Sequence, residues 1–208
     1  MVSDERGQAL SFEGITAAII LLAAVGFALQ VTAVTPLSPS TSSQHVENQI
    51  QSSGEGALDS AYESGTLQEA VLFWDPDEEV FHESSDELPH YQGSPPDALA
   101  ISETLNRTFA TESIAYNVFI HYHTSDGMST QQLIEQGRPS DHAVSASRTL
   151  VLFEDDHLVE ADGSRDTVTL GSLTGDPDAG PSFYAPNVDD QGNNVYNIVH
   201  VEVVAWRI

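Results

Sequence analysis

The longest uninterrupted pattern in the sequence is an apolar segment close to its start. Residues 14–34 contain no charged side chain, and only Thr16, Gln30 and Thr32 interrupt the apolar run. As a helix this segment is about 30 Å long, which matches the hydrocarbon core of a bilayer. A buried core helix would carry a polar stripe, and a cleaved secretory signal has a shorter apolar region of about 7–15 residues. The pattern therefore predicts a transmembrane helix over residues 14–35.

The segments on either side of this helix predict its surroundings. Pro36 and Pro39 indicate the end of the helix and a linker over residues 36–43. Arg6 is the basic residue before the helix, and the next one is Arg107, so the positive-inside rule favours an internal N-terminus. We expect a single-pass protein of the cell membrane with the lipid bilayer as a partner. Its parts are a charged leader (1–13), the transmembrane helix (14–35), the linker (36–43) and an acidic extracellular domain (44–208).

Helical spacing recurs in the first half of the predicted domain. Residues 42–63 repeat apolar side chains at helical intervals, and Gly65 is placed to end that helix. Residues 66–69, TLQE, fit a capping box for a short second helix, or lead into a strand. Residues 94–97, SPPD, fit the start of a further helix. The apolar positions of the first and third helices are Val46, Ile50, Ala57, Leu58 and Ala61, and Ala98, Ile101, Leu105 and Phe109.

The second half has the alternation that is typical of strands. Strands are predicted within residues 113–124, 143–155 and 194–208, and residues 75–95 and 161–194 are expected to form loops or short hairpins. These strands have no helices between them, which favours an antiparallel sheet. The predicted fold class is α+β, with helices packed on an antiparallel sheet.

The composition excludes nucleic acid as a partner and indicates a solvent of very high salt. The chain has 32 acidic residues against six basic ones, all arginine, and a net charge of -26. Nucleic-acid binding needs a basic patch, so we expect no nucleic-acid partner. At molar salt the Debye length is about 3 Å, and carboxylate repulsion is largely screened. Acidic residues without lysine therefore indicate adaptation to very high salt.

Candidate chemistry is sparse. The chain has no cysteine, which excludes disulfides and thiolate metal sites, and it lacks the glycine-rich and serine motifs of common enzymes. His121 and His123 lie on one strand face, and with His200 or a carboxylate they form a candidate metal site. Two surface histidines are the simpler interpretation. We expect no enzyme activity, no cofactor and no metal. Asn106 begins an N-glycosylation sequon inside the predicted helix.

The N-terminal motif has a family resemblance. The sequence DERGQ, followed by a long apolar helix, resembles the class III signal peptides of archaeal type IV pilins and archaellins, and RGQALSFEG is similar to pilin-like membrane proteins of halophilic archaea. The resemblance implies cleavage between Gly7 and Gln8, with Arg6 in the leader, and packing of the freed helix in a filament core. Counted from Gln8, Glu13 is the sixth residue, one later than the acidic residue of type IV pilins.

Two features of the helix bear on assembly. A carboxylate at Glu13 lies at the positive end of the helix dipole and can pair with a neighbouring amine to set axial register. A residue in headgroup water is the alternative for Glu13. Small residues let helices approach closely. The assembly positions are Glu13, Gly14, Ala17, Ala18, Ala24 and Ala28.

The sequence thus predicts a pilin-like, membrane-anchored cell-surface protein, a main or minor subunit of a type IV pilus-like filament. One alternative is an anchored ligand-binding or sensor domain that is neither processed nor polymerised. Another is a tethered metal-dependent hydrolase that uses His121 and His123.

Overall fold

The structure of the chain is a computed structural model. It describes the backbone of residues 3–33, 37–85, 87–109, 113–173, 180–188 and 192–208, with side chains at 12–27 and within the ranges from residue 44 onward. The chain forms two compact units, Met1–Gln44 and His45–Ile208.

The first unit contains helix α1, Ser3–Ala33. No helix in the described part of the chain combines the length and the apolar content that a membrane crossing requires. The α1 side chains that are described run from Phe12 to Phe27 and include Glu13. Among the described residues, this stretch does not meet that requirement. The predicted transmembrane helix over 14–35 is therefore wrong, and so is the single-pass location in the cell membrane.

Helix α2 spans Leu37–Ser64. Residues 37–43 are therefore helical, where the two prolines predicted a linker. Pro39 lies in the first turn, where the backbone N–H that proline lacks would have no helical partner. The helix predicted over 42–63 is confirmed. Its buried positions are Ile50, Gly54, Ala57, Leu58 and Ala61.

A short helix, α3 (Thr66–Val71), follows directly. Gly65 separates it from α2 with a φ of 83°, a left-handed conformation that favours glycine. The predicted capping box is absent. The cap position is occupied by Gly65, which has no side chain to accept a hydrogen bond from the first turn. The Thr66 hydroxyl instead donates to the Ala61 carbonyl at 3.3 Å.

Helix α4 spans Ser102–Phe109, and so begins later than SPPD predicted. The backbone N–H groups of Leu99 and Ser102 donate to the carbonyls of Pro96 and Leu99, which forms consecutive tight turns instead of a helix. The Ser102 hydroxyl also donates to the Pro96 carbonyl at 2.7 Å. The apolar stripe still points inward: Ile101, Leu105 and Phe109 are fully buried.

In the described residues of the second unit there are nine strands: β1 Trp74–Asp75, β2 Val80–Phe81, β3 Tyr91–Gln92, β4 Ile114–Thr124, β5 Gly127–Glu135, β6 Val144–Phe153, β7 His157–Val159, β8 Arg165–Thr169 and β9 Val195–Arg207. Five of them form one sheet in the order β3-β5-β4-β9-β6, parallel between β3 and β5 and otherwise antiparallel. Two further pairs, β1-β2 and β7-β8, are small antiparallel hairpins.

The structure confirms the α+β class of this unit and the three predicted strands, which are β4, β6 and β9. Strand β5 was not predicted, because its pattern is mostly polar and only Leu133 and Ile134 are buried. The missed signal was the turn: Thr124 pairs with Gly127, so Ser125 and Asp126 form a two-residue hairpin loop.

The core lies between one sheet face and helices α2 and α4. We call this the inner face and the opposite one the outer face. Phe109 of α4 lies against Tyr116 of β4, with ring centroids 5.3 Å apart. Gly54 of α2 faces Ala146 of β6. The alternating inner positions at the sheet centre are Tyr116, Val118 and Ile120 on β4, and Val199, Val201 and Val203 on β9.

Candidate functional site

The most unusual surface in the described residues is on helix α1. Eight large apolar side chains there have exposed fractions between 49% and 73%. At about 100° per residue, the consecutive Ile20, Leu21 and Leu22 point in three different directions, so the helix is apolar on all sides. The eight side chains are Phe12, Ile15, Ile19, Ile20, Leu21, Leu22, Val25 and Phe27.

The predicted assembly residues lie on the same helix. Gly14, Ala17, Ala18 and Ala24 are exposed, and a Cβ atom added at Gly14 would meet nothing within 4 Å. Gly14 and Ala18 are four residues apart and share a face. Glu13 is also exposed. The side chains of Arg6, Gln8 and Ala28, and the surroundings of Gly7, lie outside the described residues.

The candidate histidines lie at the centre of the outer face. One row across four strands reads Thr130, His121, His200, Thr149, each residue opposite the next. His121 Nδ1 is 2.8 Å from the Thr130 hydroxyl, and His200 Nδ1 is 2.8 Å from the Thr149 hydroxyl. His121 Nε2 is 3.0 Å from Glu202 Oε2. The His123 and His200 rings are 6.2 Å apart.

This arrangement fixes His121 without forming a metal centre. Both of its ring nitrogens already have partners. In the described ranges, no three histidine or carboxylate side chains come together as metal ligands. Thr130, His121 and Glu202 have the residue types of a hydrolytic triad, and their hydrogen bonds join three neighbouring strands of the sheet. Strand registers, which the sequence alone does not give, were needed to find Thr130, Thr149 and Glu202 in this group.

The glycosylation candidate, Asn106, lies in helix α4 as predicted. Its side chain is half-buried, and Oδ1 is 3.5 Å from the hydroxyl of Tyr116. Burial raises the pKa of Tyr116 to about 12, so this hydroxyl remains a donor at neutral pH. The Asn106 amide therefore contributes to the edge of the core. Whether it carries a glycan stays a prediction.

An aromatic pocket that the sequence did not reveal lies beside the β1-β2 hairpin. Its volume is about 360 Å³. Trp74 Nε1 donates to the Ser182 carbonyl at 2.9 Å, and the Ser182 hydroxyl donates to Glu79 Oε1 at 2.6 Å. Burial raises the pKa of Tyr184 well above its usual value, and its hydroxyl donates to the Val71 carbonyl. The lining residues are Trp74, Glu79, Tyr122, Thr124, Ser182, Phe183, Tyr184 and Pro186.

A second cleft, of about 330 Å³, includes Asp156, His157 and Arg165. Burial raises the pKa of the Asp156 carboxyl, although the Phe153 N–H donates to it at 2.8 Å and opposes the shift. His157 Nδ1 is 2.7 Å from the Asp166 carbonyl, across the β7-β8 hairpin. These hydrogen bonds stabilise the β7-β8 hairpin. This structural role is sufficient to explain the positions of Asp156 and His157.

Comparison with curated proteins gives no match, and comparison with solved structures also gives none. One family model matches the chain over residues 6–205, a range that includes most of helix α1 and nearly all of the second unit. This match covers far more than half of the 208 residues. The chain therefore belongs to DUF7288, a family of unknown function.

Proposed function

We propose that this protein is a non-catalytic, pilin-like subunit that assembles with like or related subunits through helix α1. The observation that carries the proposal is the set of eight exposed apolar side chains around that helix. Burying one such side chain is worth about 1.5–3 kcal/mol. A helix that is apolar on all sides therefore needs neighbours that cover it, and helices of the same kind supply a matching surface.

The small residues on α1 favour close helix packing. Gly14 and Ala18 share one face, and both are exposed in the single chain. Glu13 supplies one carboxylate beside the apolar stretch. In the proposed assembly Glu13 pairs with the N-terminal amine of a neighbouring subunit. A cut before Gln8 places that amine at Gln8, close to the apolar stretch.

The size of the full-length protein in molar salt tests the assembly. We expect large particles for the natural chain and the loss of these particles for Leu21→Glu, measured by sedimentation velocity. Ser52→Glu, at an exposed position of α2, is the matched control and should leave the particles unchanged. A natural chain that sediments as a monomer would contradict the proposal.

The processing step has its own test. The intact mass of the protein from its native cells should correspond to a chain that starts at Gln8. A chain that starts at Met1 or Val2 would show that the leader is kept, and would favour the ligand-binding alternative.

The aromatic pocket favours that second candidate function, a ligand-binding domain. Glu79 is the one charged residue among the lining residues, and Tyr122 and Tyr184 are half-buried at the pocket. Aromatic faces with a carboxylate suit a small organic cation. Calorimetry should show binding of choline and none of its neutral isostere 3,3-dimethylbutanol. Glu79→Gln, which keeps an acceptor for Ser182, should weaken choline binding. Equal binding of both probes, or of neither, would exclude a cation site.

A further inference from the structure

Strand β6 ends the five-stranded sheet with an open edge. One of its edges pairs with β9, and in the described ranges no strand pairs with the other. Residues 144–152 match β9 one to one, and the register shifts only between Leu152 and Phe153. The open edge is therefore long and regular, with unpaired backbone groups directed outward.

This edge carries few of the devices that usually keep edge strands apart. Lysine, proline, bulges and inward-pointing charges normally have that role. Residues 144–152 contain no proline and no acid, in a chain with 32 acidic residues. Arg148 is the single charge, and it points inward to α2. Its Nη1 lies 2.8 Å from Asp59 Oδ1 and its guanidinium 4.5 Å from the Tyr62 ring, so this charge is paired within its own chain.

The outer-face side chains of β6 also permit a close approach. Ser145, Ser147, Thr149 and Val151 are all exposed and uncharged. Val151 lies opposite Ile198 of β9, which is exposed as well. This corner of the sheet is thus neutral and partly apolar.

We propose that β6 pairs with β6 of a second copy of this chain, antiparallel and about a two-fold axis. The pair would join two five-stranded sheets into one of ten strands. A second copy fits because antiparallel pairing of a strand with itself occupies both open edges at once. It also fits the charge. Two chains of net charge -26 repel each other, and residues 144–152 bring no carboxylate of their own into the contact. The pairing rests on the His45–Ile208 unit and not on α1.

The chain has no cysteine, so single-cysteine variants test the pairing. They are made in the full chain with Leu21→Glu, which separates this contact from assembly through α1. Ser145→Cys, Ser147→Cys and Thr149→Cys are oxidised, with Ser60→Cys on the exposed surface of α2 as the control. A disulfide requires Cβ atoms about 3.5–4.5 Å apart, so we expect dimer yields about tenfold above the control at the position nearest the axis. The yield should fall two residues away.

A charge variant is the second test. Ser147→Glu places like charges across the proposed pair, and it should abolish the dimer with no change in thermal unfolding beyond that of Ser60→Glu. Equal cross-linking at all four cysteine positions would overturn the pairing, as would a dimer that survives Ser147→Glu. The absence of any dimer would also overturn it.

Discussion

The side chain of Asn197 hydrogen-bonds to His123 as a backbone would. Asn197 Oδ1 accepts from the His123 N–H at 3.1 Å, and Nδ2 donates to the His123 carbonyl at 3.0 Å. The same Nδ2 donates to the Pro186 carbonyl at 2.7 Å, and Asn197 is fully buried. The amide thus extends the β4-β9 ladder beyond its last paired residues, Tyr122 and Val199, and ties the 180–188 segment to the sheet.

Removing this amide should destabilise the second unit. We expect Asn197→Ala to lower the free energy of unfolding by about 2–4 kcal/mol, because it leaves buried backbone groups without partners. Asn48→Ala, at an exposed position of α2, is the control and should change it by less than about 0.5 kcal/mol. Chemical denaturation measures both. Equal effects of the two variants would show that the Asn197 bonds contribute nothing.

The two glycines in the middle of α2 should respond differently to alanine. A Cβ at Gly56 would meet nothing within 4 Å, whereas one at Gly54 would lie 3.2 Å from Ala146 Cβ and 3.7 Å from Phe109. Gly56→Ala should therefore stabilise by about 0.5–1 kcal/mol through helix propensity. Gly54→Ala should destabilise, since it pushes the helix away from β6. Thermal unfolding of the two variants compares them directly, and a gain at Gly54 would refute close packing there.

The raised pKa of Asp156 has a defined pH signature. The folded protein keeps this proton over a pH range in which the unfolded chain has lost it, so the free energy of unfolding falls as pH rises above the ordinary Asp value of about 3.9. Asp156→Asn removes the carboxyl that titrates and should stabilise at neutral pH. The effect should vanish at acidic pH, below that ordinary value.

The pKa of Asp162 is shifted in the opposite direction to that of Asp156, so its effect on stability has the opposite pH dependence. A hydrogen bond from Ser164 lowers the pKa of the Asp162 carboxyl, so its contribution is present above the ordinary Asp value and is lost as pH falls through the folded value. Asp162→Asn should destabilise at neutral pH. If both variants shift the unfolding midpoint in the same direction at neutral pH, the assignment is wrong.

Salt should stabilise the protein. Between about 0.1 M and 1 M the Debye length falls from about 10 Å to 3 Å, which screens the repulsion among 32 carboxylates. We expect the midpoint of thermal unfolding to rise by roughly 5 °C or more, equivalent to about 2 kcal/mol at 2–4 °C per kcal/mol. Sodium chloride titration with circular dichroism measures it. A midpoint that falls with salt would contradict adaptation to brine.

Local patterns predicted the parts of the fold that depend on neighbouring residues. Helix α2 and strands β4, β6 and β9 each have a strong apolar period, and all four appear in the structure. Strand β5 was missed because its polar residues are placed by pairing with β4, and α4 begins late because the prolines form turns instead.

The candidate sites were harder to predict, because they depend on contacts between distant segments. The Thr130–His121–His200–Thr149 row requires the registers of four strands. The aromatic pocket joins residues 74–79 to residues 182–186. The apolar run at residues 14–34 is a local pattern that the sequence shows directly, but the membrane span predicted from it is wrong.

The most direct test of assembly through α1 is a spin label at Leu21→Cys in this cysteine-free chain. Packed helices lie about 8–10 Å apart, so assembly through α1 should give strong spin–spin coupling that disappears when labelled protein is diluted with unlabelled protein. The same label at Ser52→Cys should show no coupling. A Leu21→Cys spectrum without coupling at high protein concentration would contradict assembly through α1.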